Sequence, residues 1–187
     1  MIDPAVEPVA QSLPDVLTPG LVVVFVGLNP GAGSAAVGRN FANPSNRFWK
    51  TLHGAGFTPD RLSAEDDQTL TRFGCGLTTA VSRPTRSAGE LQAADYRADA
   101  EALRAKIKHY RPNTVAFLGK AAFATISRSP RLEWGSQTAT FADASVWILP
   151  NPSGLNRAFS LSDLSTAYGE LRHARDEAFG AWRRAAG

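Results

Sequence analysis

A single cysteine, Cys75, excludes an internal disulfide and any thiolate metal cluster, as suits a reducing compartment. Histidine is almost as scarce. His53, His109 and His173 fall in separate expected helices without metal-ligand spacing, so chemistry without metal or cofactor is expected. The longest apolar run, Leu21 to Leu28, falls far short of the roughly 20 residues a membrane-spanning helix needs. Met1 to Thr18 carries acids and prolines where a secretory signal would carry basic residues before an apolar stretch. A cytoplasmic protein is therefore expected, with a loose segment over 1–18 and one domain over 19–187. Nor is there a large excess of one charge: the net value is +3, which a solvated surface explains without a partner. Lysine and arginine do gather from Arg104 to Lys120 and at Arg128, Arg131 and Arg157, which would suit phosphate contacts if those segments share a face.

What is present is the composition of a globular domain, 43% apolar and 20% charged, which argues against disorder. Leu21 to Leu28 is continuously apolar and rich in valine, the mark of a strand covered on both faces. Thr114 to Gly119 and Ser145 to Leu149 read as further strands, and Gly74 to Thr79 as a short strand or buried crossing. Helices are expected from Arg47, after the cap-forming Asn43-Pro44-Ser45-Asn46, and over Ala64 to Arg72. Tyr96, Ala100, Leu103 and Ile107 recur at helical spacing and predict a long helix over Gln92 to Tyr110. Lys120 to Ser127 and Leu161 to Arg184, the latter breaking near Gly180, complete the set. Alternating strands and helices imply a doubly wound α/β sandwich whose crevice lies at the carboxyl ends of the strands.

Two loops at that edge carry the residues of interest. The first, Gly27-Leu28-Asn29-Pro30-Gly31-Ala32-Gly33-Ser34, lacks the lysine of a P-loop and the glycine spacing of a dinucleotide fingerprint, although a plain strand-to-helix turn would use the same glycines. The second is Asn151-Pro152-Ser153-Gly154-Leu155-Asn156-Arg157, whose polar residues would form a turn in any protein. A leucine between glycine and arginine at its tip has the character of an apolar wedge for opening a base stack.

Gly27-Leu28-Asn29-Pro30-Gly31 and Asn151 to Arg157 resemble the two signature motifs of the mismatch-specific uracil and thymine DNA glycosylases. Phe41 to Trp49, Gly76-Leu77-Thr78, Arg83-Pro84-Thr85 and Leu118-Gly119-Lys120 are similar to further segments of that family, in the same order, over roughly Leu17 to Tyr168. The resemblance implies a three-layer α/β/α fold with a central, mainly parallel, short-stranded sheet. It implies an enzyme that flips uracil, and related deaminated or damaged bases, notably in G:U mismatches, out of double-stranded DNA and hydrolyses the N-glycosidic bond; single-stranded DNA as a further partner and a monomeric state are expectations beside it. By the same resemblance Asn29 orients the attacking water. Phe41 stacks on the extruded base, in a pocket to which Leu28, Pro30, Ser34 and Asn151 also belong, and the backbone of Leu28 reads the base's polar edge. Ser153, Gly154, Leu155, Asn156 and Arg157 form the wedge, and Lys120 lies on the DNA-binding side. Thr79 and Asn156 depart from the family pattern, the first at the pocket wall, the second beside the wedge.

Each assignment has a plainer rival: Phe41 as core, Arg157 as a solvated charge, Asn151 as a turn former. Asparagine can hold water but cannot take its proton as a carboxylate could, so a site built on Asn29 should depend on a good leaving group. Glu90 and Asp95 are the carboxylates that could assist. Asp95 falls in the first turn of the long helix, where an acid is also favoured by the helix dipole. A non-catalytic damaged-DNA-binding module would keep Leu155 and Arg157 without Asn29, and a small-molecule nucleotide binder would keep the first loop without the wedge.

Overall fold

A computed structural model describes residues 13–186; most of the expected loose segment, residues 1–12, lies outside them. The strands are β1 (Val23–Gly27), β2 (Cys75–Thr79), β3 (Thr114–Leu118), β4 (Gly135–Phe141) and β5 (Ala144–Leu149). They form one sheet in the order β2-β1-β3-β5-β4, parallel except for β4, which pairs antiparallel with β5. The helices are α1 (Ala32–Val37), α2 (Phe48–Gly54), α3 (Ala93–Tyr110), α4 (Ala121–Ser127), α5 (Leu161–Ala174) and α6 (Asp176–Ala186), with a 3₁₀ segment over Ala64–Phe73.

The central strands are apolar along their whole length because both faces are covered. Val23, Phe25, Ala116, Leu118, Trp147 and Leu149 face the layer of α2, α5 and α6, where Phe48, Leu52, Tyr168 and Phe179 meet them. Val24, Val26, Val115, Phe117, Val146 and Ile148 face the opposite layer, packing on Tyr96, Leu103 and Ile107 of α3 and Phe123 of α4. This is the expected three-layer α/β/α arrangement, with strand carboxyl ends opening on one edge.

Several boundaries differ from expectation. The segment just before β1 is packed, since Val16 is buried and bridges Leu77 of the edge strand β2, exchanging backbone bonds of 2.8 and 2.9 Å. Gly76 makes this possible, because a Cβ there would come within 2.6 Å of Val16 O. Asp15 adds a bond from Thr78 Oγ1 at 2.6 Å and an ion pair with Lys106 at 2.7 Å. The closing helical segment breaks at Arg175 rather than near Gly180, which lies inside α6. Arg175 turns its Nε to the buried Thr114 Oγ1 at 2.7 Å, a tertiary contact that outweighs any local stop signal. Strand β4 carries mostly polar residues and hangs on a tight turn, Ala142-Asp143, in which both residues take positive φ, 49° and 71°. Among the described residues no helix is long and apolar enough to cross a membrane.

Candidate active site

Strand β1 ends at Gly27, and the loop that follows is zipped to the segment after β2. Ala80 N donates to Gly27 O, Val81 N to Leu28 O, Thr85 N to Pro30 O and Ala32 N back to Thr85 O, all at 2.8–3.0 Å. Within this frame Asn29 has one orientation. Its Nδ2 donates to Arg83 O at 2.9 Å and to Thr85 Oγ1 at 2.8 Å. Arg83 O can only accept, which assigns the nitrogen to that side. Both amide hydrogens are thereby used, and Oδ1 has no protein donor among the described residues.

The two motif loops meet around a cavity of about 510 Å³, within the size range of small-ligand pockets. Leu28, Asn29, Ser34, Phe41, Asn151, Ser153, Gly154, Leu155 and Asn156 all line it, although they come from opposite ends of the chain. Thr79 forms part of the wall as well. The described lining contains no carboxylate, and its one charged side chain is Arg86.

Phe41 joins the cavity to the core. One face of its ring stacks on Phe48 of α2, with centroids 4.0 Å apart and planes inclined by 20°. Its backbone has φ 54°, a conformation that costs an aromatic residue energy and needs support from both sides. Before it, Asn40 N donates to Asp67 Oδ2 at 3.0 Å, and Asn40 Nδ2 to Asp67 Oδ2 and Pro14 O at 3.1 Å. After it, Ala42 N donates to Ser34 Oγ at 3.1 Å. Asp67 is fully buried, and Arg39 completes its shell at 3.1 Å. Phe41 is thus partly core and partly cavity wall.

In the second loop Asn151 Oδ1 accepts from Ser153 N at 2.9 Å, and Asn156 Nδ2 donates to Asn151 O at 2.9 Å. The amide of Asn156 therefore closes the turn across five residues, which accounts for that residue beside the tip. Leu155 at the tip is 79% exposed. Beneath the loop, burial pushes the Tyr168 phenol well above its ordinary pKa, and the neutral hydroxyl donates to Pro150 O at 3.1 Å.

Five residues singled out in the sequence lie apart from the cavity lining, among them Glu90, whose carboxylate accepts from Ser87 N at 2.7 Å. Pro30 is buried behind it and serves the zipper through its carbonyl. Lys120 places Nζ over the Trp134 ring, 4.6 Å from its centroid, and Arg157 is exposed past the tip. Asp95 is the clearest difference. It caps α3 by accepting from Gln92 N at 2.8 Å and pairs with Arg83 at 3.1 Å. The Gln92 amide, and after it the Arg83 guanidinium, hold its carboxyl below the usual carboxylate range. A carboxylate so occupied is a structural cap and a poor base. Conversely, Leu13, Asn40 and the stretch from Arg86 to Gly89 line the cavity without having been marked by any motif.

A parallel α/β sheet with two converging loops at its carboxyl edge defines the class: an α/β/α protein with a preformed pocket beside an exposed apolar tip. The family model for the Uracil DNA glycosylase superfamily matches residues 14–172, and the chain belongs to that superfamily. Its fold is similar to the solution NMR structure of a candidate uracil DNA glycosylase from Methanosarcina acetivorans, with a TM-score of 0.60 at 20% identity over 88% of this chain and 97% of that one.

Proposed function

We propose that this protein is a monofunctional DNA glycosylase of the mismatch-specific type, acting as a monomer in the cytoplasm on uracil, and on related deaminated bases, in double-stranded DNA. Membership of the superfamily supports glycosylase activity; the observation that carries the finer reading is the fixed amide of Asn29 on the cavity wall. With both hydrogens given to Arg83 and Thr85, its Oδ1 is left to accept a hydrogen bond from a water and hold that water's oxygen toward the sugar C1′. The C1′–N bond then breaks, the electron pair leaves with the base, and the water oxygen bonds to C1′ while its proton passes to solvent. No carboxylate of the described lining takes that proton, so the rate rests on the quality of the leaving group. Uracil and electron-poor bases meet that demand.

Phe41 supplies a flat apolar face for the extruded base, and Leu155 fills the space it vacates. A mismatched pair is opened at less cost than an intact one, which favours G:U sites. The nucleotide-binder alternative loses support because the Ala32 amide at the start of α1 is already given to Thr85 O. The test is incubation with duplexes holding one uracil opposite guanine, followed by alkali. Breaks at the uracil are expected; their absence with every deaminated base would favour a non-catalytic damaged-DNA-binding module.

A further inference from the structure

The turn that carries Leu155 has an exposed tip, yet five of its carbonyls, those of Asn151, Pro152, Ser153, Asn156 and Phe159, accept hydrogen bonds. Most are held by Arg47, more than a hundred positions earlier. Arg47 N donates to Pro152 O at 3.0 Å and Nε reaches the same oxygen at 3.4 Å. Nη2 donates to Ser153 O at 2.9 Å and to Asn156 O at 2.8 Å, and Nη1 to Phe159 O at 2.6 Å. Four of the five side-chain N–H donors of the planar fork are thereby used, all on carbonyl oxygens of one turn. Ser45, two residues before Arg47, lies directly against the turn as well. A Cβ on Gly154 would come within 2.6 Å of both Ser45 O and Oγ, so the turn rests directly on the segment that leads into α2.

We propose that Arg47 is a positioning residue for base extrusion: it locks the 152–159 turn into its inserting shape before DNA arrives. This rests on the reading of the chain as a base-flipping glycosylase. A tip that must enter a stacked duplex loses efficiency for every residue still to be ordered on entry, and a turn fixed beforehand avoids that loss. With four of its five side-chain donors and its charge turned to carbonyls of the protein, Arg47 serves the turn rather than a phosphate, unlike a lysine or arginine that faces DNA.

Arg47→Lys keeps the charge but presents one ammonium that cannot span four carbonyls. Single-turnover cleavage of uracil in a duplex should fall by about tenfold or more, with a far smaller loss on single-stranded DNA, which has little stack to invade. Extrusion of a fluorescent base analogue from duplex should fall in parallel. The Asn156 amide, bonded to Ser153 O at 3.0 Å, should exchange its hydrogen faster in the free protein, and the salt dependence of binding should not change. Gly154→Ala, which pushes the turn off Ser45, should reproduce the duplex-selective loss with Arg47 intact.

Equal losses on both substrates, or unchanged exchange at Asn156 in a folded Arg47→Lys protein, would overturn the proposal. In the charge-removing variant Arg47→Gln, a salt slope lowered by about one would make Arg47 a phosphate contact instead. If the wild-type protein neither extrudes nor cleaves uracil, the glycosylase reading fails, while the exchange comparison still decides whether Arg47 orders the turn.

Discussion

Phe41 and Leu155 both line the cavity, and they are built in opposite ways. Phe41 is drawn into the core by Phe48 and held in a costly backbone conformation by buried polar bonds to Asp67 and Ser34. Leu155 stands in solvent on a turn whose order comes from hydrogen bonds to Arg47, Asn151 and Ser153. The difference teaches that one wall of the cavity is an extension of the hydrophobic core and the other a polar scaffold bearing an apolar point. Substitutions on the first wall should disturb folding and chemistry together; those at the tip should disturb only what happens in a duplex.

The largest effect is expected at Asn29, at the foot of the core-linked wall. Asn29→Ala should slow single-turnover uracil excision by on the order of a hundredfold or more while DNA affinity, measured by titration, stays close to wild type. An unchanged rate would move the water-holding role elsewhere.

Phe41→Ala tests the dual character of that residue. Loss of a stacking face should weaken binding of the extruded base by roughly 1–3 kcal/mol. Because the ring also packs on Phe48, denaturant unfolding should show a loss of about 2 kcal/mol, less than the roughly 3–5 kcal/mol of a fully buried phenylalanine. Wild-type stability in this variant would break the comparison with Leu155.

Leu155→Ala should leave the unfolding free energy within about 0.5 kcal/mol of wild type, as for an exposed position. Its loss of cleavage should be greatest where the target base is well paired and least on single strands. A large fall in melting temperature would place Leu155 with the core.

The smallest effect concerns the helix-start acids. Asp66, Asp95 and Asp163 all have carboxyls held below the ordinary range, Asp66 and Asp163 chiefly by the hydroxyls of Ser63 and Ser160, Asp95 chiefly by the Gln92 amide. A depressed native pKa gives stability that is fully present above the unfolded value near 3.9 and is lost as pH falls through the folded value. Asp95→Asn should therefore narrow the gap in melting temperature between neutral and acidic buffer slightly, with uracil excision at neutral pH unchanged. A collapse of excision would make Asp95 the base and remove its role as a cap.

Much of this was legible in the sequence because burial on both faces leaves continuous apolar runs, as in β1 and β3, and because α3 combines heptad-like spacing with an acid in its first turn. Strand β4 was invisible for the converse reason. As a polar edge strand with a register shift between Ser136 and Thr140, it has neither alternation nor an apolar run. Helix α1 likewise buries only Ser34 and has no side-chain cap, so its residues look like a turn. At the site, the motifs named the two loops and Thr85, yet the Arg86 to Gly89 wall follows from the zipper between Pro30 and Thr85, a long-range pairing with no local signature. Arg47 could be found only by its partners, since an arginine before an aromatic pair says nothing about which carbonyls it will meet.

The passage of Val16 along β2 means that the sheet does not end where its last named strand does. An uncovered β2 would offer open backbone groups to any other extended chain, and Val16 takes up those of Leu77 at its centre. Leu13, three residues earlier, reaches the cavity itself. Trimming the chain to begin at residue 19 would therefore produce a protein prone to stick edge to edge and, at the same stroke, would unseal one corner of its pocket.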